Sequence, residues 1–474
     1  MLFRHGFHYL LARGVPGVLN FLAIAVYTRL LDPDEYGAYT LTIAAVSAAD
    51  ALLLQWLRLA LLRFLPKAEA EGNPDLVLAA LLRQFLGLAA VIAAFGTLFA
   101  WFLLPDGLSR QLVLLGLGIF VVQGLFELTV ERERSALSPR RYGLYAGVKS
   151  LVGLTTGAAL ALVGWGAAGL LVGLLLSMML PLLAFGGVPM WVRVARTRFD
   201  GRLARQLTRY GLPLAATSAL AFVVSSSDRF MLAGFIDQAA AGRYAAGYDL
   251  AQFTLGMLLN IVNLAAYPLI VTALDAQGET AARGLLRWTA RLLLGVGLPV
   301  TVGLAVLSQN VATVMVGPGF RDAATVVIPW IALAALIAGF KAFYLDLAFQ
   351  LGKSTITQVW IALITAVLNV ILNLLWIPRF GILGAVYATV AAHCVALLLS
   401  WWLGRRAFPV PLPGPANLPI LGAALVMGAV LSFVRDWVGA GALVAQVLIG
   451  VAVFAASLLV LDRRFFAKLL AQES

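Results

Sequence analysis

Residues 355–403 read TITQVWIALITAVLNVILNLLWIPRFGILGAVYATVAAHCVALLLSWWL, two long apolar runs separated by Pro378-Arg379-Phe380. Arg379 is the only Lys, Arg, Asp or Glu in this stretch. Each run is long enough to cross the hydrocarbon of a membrane as a helix, which takes about 20 residues. Proline at the break ends one helix and allows the next to begin. The stretch therefore predicts two membrane-spanning helices joined by a tight turn.

The same pattern extends over the whole chain of 474 residues. Hydrophobic residues make up 62% and charged residues 12%, and the mean hydropathy is +0.95. Soluble domains carry about 25% charged residues, so the composition excludes a soluble protein. The runs do not alternate apolar with polar residues, as barrel strands would. We therefore predict an all-α membrane protein with 14 transmembrane helices, at residues 10–31, 37–62, 78–104, 111–131, 144–163, 166–190, 210–234, 242–272, 285–307, 323–346, 355–377, 381–403, 417–434 and 442–461.

The distribution of basic residues predicts the orientation in the membrane. With the N-terminus placed in the cytoplasm, 25 of the 34 Lys and Arg residues fall in cytoplasmic segments and six in outer ones. The other three, Lys149, Arg229 and Lys341, lie within spans. Loops rich in Lys and Arg stay on the cytoplasmic side, so both termini are expected there. This placement of the bases indicates membrane orientation and not nucleic-acid binding.

Matching motifs divide the chain into two repeats. The motifs occur in the same order in both halves and at near-equal offsets. The pairs are Gly14-Val15-Pro16 with Gly211-Leu212-Pro213, Gly37-Ala38-Tyr39 with Gly242-Arg243-Tyr244, Leu81-Leu82-Arg83 with Leu285-Leu286-Arg287, and Gly166-x-x-Gly169 with Gly381-x-x-Gly384. Six spans in each repeat make the two repeats parallel in the membrane, which predicts two six-helix lobes around a central cavity that opens to either side. Two C-terminal helices have no counterpart.

The predicted domains follow from these repeats. They are an N-lobe at 1–190, a cytoplasmic linker at 191–209, a C-lobe at 210–403, and a Pro-rich linker with helices 13 and 14 at 404–474. The segment from Trp191 to Tyr210 mixes arginines with apolar residues, which favours a position in the cytoplasmic headgroup layer. A disordered basic loop is the alternative.

Three junctions between spans resemble those of polysaccharide flippases, the Wzx-type transporters of the multidrug/oligosaccharidyl-lipid/polysaccharide (MOP) exporter superfamily. These are residues 28–39 (TRLLDPDEYGAY), residues 228–232 (DRFML) with Gly242-Arg243-Tyr244, and Asn369-x-x-x-Asn373 with residues 377–385 (IPRFGILGA). The lipid II flippase and the MATE exporters belong to the same superfamily. The resemblance covers spans 1 to 12, and spans 13 and 14 match in number only.

The resemblance implies a transporter and not an enzyme: a flippase that moves a polyprenyl-pyrophosphate-linked oligosaccharide across the bacterial inner membrane for surface polysaccharide synthesis. Expected partners are membrane lipids, the lipid-linked saccharide, and a polysaccharide polymerase and glycosyltransferases. No cofactor is expected. A lipid II flippase and a MATE-like exporter of organic cations remain alternatives. The excess of intramembrane Arg and Lys favours an anionic cargo over a cationic one.

Charged side chains at membrane depth are candidates for substrate binding, because they are costly to keep there. Arg58, Lys149 and Lys341 lie toward the cytoplasmic side and would capture pyrophosphate, since Arg and Lys supply charge-assisted donors. Arg29 and Arg229 lie toward the outer side and would guide release. The alternative for each is a long side chain that reaches the nearest headgroups.

A second set of polar residues predicts an ion-coupling site near the outer ends of spans 7, 8, 11 and 12. It consists of Asp228, Asp249, Asn369, Asn373 and Thr389. Carboxylate, amide and hydroxyl oxygens suit Na⁺, and a lone carboxylate suits H⁺. The lipid II flippase similarly holds Na⁺ with an Asp of span 7 and two polar residues of span 11, although it has an acid where this chain has Asn373. The alternative is that Asp228 pairs with a neighbouring arginine and the asparagines bond between helices.

Overall fold

The computed structural model describes residues 17–103, 109–136 and 138–462. They are almost entirely helical, and these ranges contain no strand. The helices are α1 (Gly17–Leu30), α2 (Pro33–Leu53), α3 (Gln55–Ala70), α4 (Pro74–Phe102), α5 (Arg110–Ser135), α6 (Pro139–Leu160), α7 (Gly166–Ala184), α8 (Gly187–Ala195), α9 (Gly201–Phe235), α10 (Gln238–Gln277), α11 (Glu279–Val306), α12 (Ser308–Met315), α13 (Arg321–Phe340), α14 (Leu347–Leu351), α15 (Thr355–Phe380), α16 (Ile382–Ala407), α17 (Leu418–Val434) and α18 (Ala440–Leu461). The predicted all-α membrane class is confirmed.

Within the described residues, each of the fourteen predicted spans overlaps a helix. Among the described residues, 11 helices are long and apolar enough to cross a membrane, or 12 with the bent pair Gly201–Pro213 and Ser218–Phe235. One of the 11 runs over 45 residues, Arg140–Ala184, and contains predicted spans 5 and 6. At 1.5 Å per residue it is about twice as long as the hydrocarbon is thick. Predicted span 1 begins outside the described residues, which show it as α1.

Local sequence explains where these helices begin and bend. Asp32 caps α2, because its carboxylate accepts a hydrogen bond of 2.9 Å from the Glu35 backbone N–H, and Pro33 occupies the first turn. Such caps satisfy backbone donors that the helix itself cannot pair. Within α9, Pro213 lies at the end of the first part of the pair that bends by 51°. Proline removes a backbone hydrogen bond and so kinks a helix.

Glycines separate and then pack the two spans of the 45-residue run. Gly164 and Gly166 have φ angles of 89° and 51°, which reverse the chain between α6 and α7. The two helices then approach so closely that a Cβ on Gly173 would lie 2.5 Å from the backbone N of Gly157. Small residues permit such contact between helices in lipid, where packing replaces hydrophobic burial.

The chain divides into two compact units, Met1–Phe230 and Met231–Ser474. The predicted boundaries at 190, 209 and 403 stay a prediction. In the first unit, the predicted basic linker consists of the end of α8, a non-helical segment at 196–200 and the start of α9, and it is tethered in two places. Trp191 of α8 is buried and donates from Nε1 to Thr129 Oγ1 at 2.8 Å, and Arg83 donates to the carbonyl of Thr197 at 2.8 Å.

The second unit includes the C-terminal pair α17 and α18, which pack on each other and on α11. Gln446 is fully buried and donates to the carbonyls of Val434 and Trp437 at 2.7 and 3.1 Å. Its Oε1 accepts from Asn310 Nδ2 at 2.7 Å. Arg291 forms an ion pair with Asp462. These polar contacts connect the pair to the rest of its unit.

Candidate functional site

Arg58 lies on α3 of the first unit and is neutralised by a neighbouring carboxylate. Its guanidinium donates to both oxygens of Asp50, at 2.9 and 2.6 Å, and also to Gln55. The side chains of Arg58 and Asp50 are only 13% and 11% exposed. The helix is interrupted at Leu54, between α2 and α3, and this break lets side chains eight residues apart meet. A bidentate pair of this kind is strong and fixes the guanidinium in orientation.

Lys149 lies at the middle of α6 beside a cavity within the first unit. Its Nζ is 3.4 Å from Glu127 Oε1 on α5 and 4.9 Å from the centre of the Phe126 ring. The side chains of Lys149 and Glu127 are 27% and 33% exposed. The cavity has a volume of about 260 Å³ and is also lined by residues of α1, α2 and α7. Lys149 is therefore accessible to a solute that enters this cavity.

Lys341 lies in the second unit, at the start of the π-helical turn Lys341–Leu345. Its Nζ is 2.7 Å from Asp346 Oδ2, and Asp346 Oδ1 accepts from Ser400 Oγ at 2.8 Å. The backbone N–H of Asp346 also donates to the Lys341 carbonyl at 2.9 Å. A π turn brings residues five apart onto one face, which an α-helix does not. The irregular turn thus builds the ion pair.

The two outer cations are less enclosed. Arg29 is exposed and donates to the Ala25 carbonyl at 2.5 Å, in the turn of α1 that precedes it. Arg229 of α9 is half-buried, beside the fully buried Asp228. Their predicted role in release stays a prediction.

The predicted ion-coupling residues are distributed over both units. Asp228 belongs to the first, while Asp249, Asn369, Asn373 and Thr389 belong to the second. Asn369 and Asn373 are fully buried and one turn apart on α15, where Asn373 Nδ2 donates to Asn369 Oδ1 at 3.1 Å. This leaves Asn373 Oδ1 buried without a hydrogen-bond partner among the described residues. A buried amide oxygen in this state is a fitting ligand for a cation.

A cluster of three or more His, Cys, Asp or Glu side chains that could hold a metal ion is not found among the described residues. The predicted ion-coupling set is not of that type, since it contains two carboxylates with amide and hydroxyl oxygens. Such oxygen donors suit a hard cation such as Na⁺ and not a tightly bound transition metal. The role of this set in ion coupling stays a prediction.

Solved structures of membrane transporters share this fold. A lipid II flippase MurJ in an inward closed conformation matches with a TM-score of 0.78 and 14% identity, over 97% of this chain and 99% of that chain. An inward-facing MATE multidrug resistance transporter of the MOP superfamily matches with a TM-score of 0.60 and 15% identity, over 84% of this chain and 97% of that one. The chain therefore has the fold that these solved structures share, as the sequence predicted.

The amino-acid sequence defines the family more closely. Residues 26–325 match the family described as "Polysaccharide biosynthesis protein", and the chain belongs to that family. It is also 25% identical over 258 residues to a probable lipid II flippase MurJ of Synechocystis sp., a match that covers 52% of this chain and 46% of that protein. The matched region thus spans about half the length of this relative. The chain is a multi-pass membrane protein of this family, and its assignment to the Wzx-type branch stays a prediction.

Proposed function

We propose that this protein is a flippase that moves a polyprenyl-pyrophosphate-linked oligosaccharide across the bacterial inner membrane, for the synthesis of a surface polysaccharide. The observation that carries the proposal is the match to the polysaccharide biosynthesis family over residues 26–325. A pyrophosphate and a hydroxyl-rich sugar are very unfavourable in hydrocarbon, so the head needs a polar path while the polyprenyl tail stays in lipid. Alternating access supplies such a path without opening a continuous pore.

Two buried cations support the recognition of pyrophosphate. Arg58 and Lys341 are each paired with one carboxylate, of Asp50 and Asp346, and are largely enclosed. A pyrophosphate that displaces either carboxylate would receive charge-assisted hydrogen bonds from a donor that is already oriented. The same pairing keeps each cation neutralised when no substrate is bound, which lowers the cost of holding it in the membrane. Arg29 and Arg229 would guide release at the outer side.

We also propose that transport is coupled to an ion gradient, with Na⁺ or H⁺ moving in exchange for the lipid-linked head. The buried Oδ1 of Asn373 supports a cation near the Asn369–Asn373 pair. Asp249 and Thr389 of the same unit would supply further oxygens, and the coupling role of Asp228 stays a prediction. Separately, we propose that both termini lie in the cytoplasm, because the cytoplasmic segments would hold most of the Lys and Arg residues.

A lipid II flippase is the second candidate, favoured by the TM-score of 0.78 to a MurJ structure. Both candidates move a saccharide on a lipid carrier, so the accumulated substrate distinguishes them. In a deletion strain, the proposal predicts loss of a surface polysaccharide and accumulation of its lipid-linked repeat unit on the cytoplasmic side. Accumulation of lipid II with an intact surface polysaccharide would establish the second candidate instead.

A further inference from the structure

The cavity beside Lys149 has walls of a particular chemistry. It lies wholly within the first unit, among helices α1, α2, α5, α6 and α7. Its side chains combine aromatic rings with groups that donate or accept hydrogen bonds, namely those of Asn20, Tyr39, Glu127, Tyr142, Lys149 and Ser150. Lys149 is ten residues from the start of α6, about 15 Å along the helix axis at 1.5 Å per residue. The polar lining therefore reaches the apolar depth of the membrane, where each polar group is costly.

The charges in this cavity cancel. Lys149 Nζ and Glu127 Oε1 are 3.4 Å apart, so the ammonium and the carboxylate neutralise each other. The pair presents a strong donor next to a strong acceptor, which suits a neutral molecule with many hydroxyl groups.

One aromatic wall of the cavity is fixed in place. Tyr27 is buried and donates from its hydroxyl to the Gly153 carbonyl at 2.8 Å, across from α1 to α6. The Tyr39 ring meets the Tyr27 ring edge to face, with centres 6.0 Å apart. Tyr27 thus fixes the partly exposed Tyr39 ring, which would offer an apolar surface to the C–H face of a sugar while the polar groups around it meet the sugar hydroxyls.

The size of the cavity limits what it can hold. Its volume is about 260 Å³. Sites for drug-sized ligands begin at about 300 Å³, so this cavity suits one sugar unit and not a whole oligosaccharide.

We propose that this cavity is a saccharide subsite that binds one neutral sugar unit of the transported lipid. The inference rests on the proposed function, and it assigns Lys149 to the sugar and leaves the pyrophosphate to Arg58 and Lys341. It makes the first unit the part of the protein that reads the identity of the saccharide.

The experiment fills the cavity by substitution and compares the binding of two lipids. The full-length protein in lipid nanodiscs is titrated with polyprenyl pyrophosphate carrying the saccharide unit of the host, and with polyprenyl pyrophosphate alone. Ser150→Trp projects an indole into the cavity. Leu151→Trp is the matched control, because Leu151 is the next residue of α6 and is 51% exposed on the apolar surface. Ala146→Leu fills the cavity more gently, since Ala146 lies one turn before Ser150 on the same wall.

We expect Ser150→Trp to weaken binding of the saccharide-bearing lipid by about tenfold and to leave binding of the sugar-free lipid unchanged. Leu151→Trp should change neither, and Ala146→Leu should act in the same direction as Ser150→Trp. If Ser150→Trp does not insert into the membrane, Ala146→Leu alone decides the outcome. Equal effects of the cavity variants on both lipids, or no effect on either, would overturn the subsite. A parent protein that binds neither lipid would instead contradict the proposed function.

Discussion

The Asp50–Arg58 pair allows a quantitative test, because its two side chains are mostly enclosed. Removing one member of a buried ion pair leaves an uncompensated charge and costs about 3–5 kcal/mol, whereas replacing both by apolar residues of similar size is often close to neutral. Arg58 also donates to Gln55 and holds both oxygens of Asp50. We therefore expect Arg58→Met to destabilise the protein by about 3–5 kcal/mol and Asp50→Leu by a similar amount. The double variant should lie within about 1–2 kcal/mol of the parent.

Equilibrium unfolding in mixed micelles of rising SDS content measures the four free energies of this cycle. The coupling energy that follows from these figures is at least about 4 kcal/mol. Lys67 and Glu71 supply the matched control, since they are 3.7 Å apart but 78% and 59% exposed. Their coupling energy should be below about 0.5 kcal/mol. A coupling at Asp50–Arg58 that is no larger than at Lys67–Glu71 would refute the reasoning.

The same double variant separates structure from function. If Arg58 binds pyrophosphate, the stable double variant is folded and inserted but does not restore surface polysaccharide to a deletion strain. Full restoration by this variant would show that Arg58 acts only in packing, and the capture role would be abandoned.

Three further predictions concern helix packing, the C-terminal pair and ion coupling. Gly173→Ala should separate α6 from α7 and lower the SDS content at the unfolding midpoint, because its Cβ would lie 2.5 Å from the Gly157 backbone. The control Gly147→Ala should leave the midpoint unchanged, since its Cβ meets nothing within 4 Å, and equal midpoints for the two variants would contradict the contact. Gln446→Leu should cost about 1–3 kcal/mol in the same unfolding assay by leaving buried partners unpaired, and an unchanged stability would show that the contacts are dispensable. Asp228→Asn should make transport insensitive to imposed Na⁺ and proton gradients, and a response as large as that of the parent would argue against the coupling site.

The fold could be predicted from sequence because its signals are local. Each apolar run and each break between runs is visible within about 25 residues, and the runs coincide with helices throughout the described chain. The basic segment after Trp191 was not predicted to be helical, and the structure shows α8 ending at Ala195 and α9 beginning at Gly201.

The partners of the candidate cations could not be predicted in the same way. Asp346 is five residues from Lys341, a spacing that an α-helix places on different faces, and only the π turn brings the two together. Asp50 reaches Arg58 across the interruption at Leu54. Glu127 meets Lys149 through the packing of two helices. The carboxylate partner of each cation is thus determined by irregular backbone turns and by helix packing, which the residue types alone do not reveal.

Transport in a reconstituted system tests the central claim most directly. Proteoliposomes containing the purified protein and the fluorescently labelled lipid-linked saccharide of the host would be treated with a membrane-impermeant reagent that modifies only sugars on the outer leaflet. The account predicts that the inner-leaflet fraction becomes accessible in the presence of the protein, and faster under an ion gradient. The Asp50→Leu/Arg58→Met variant, reconstituted in the same vesicles, is expected to accelerate exchange of the lipid between leaflets only slightly. Exchange between leaflets no faster than in protein-free vesicles would contradict the account.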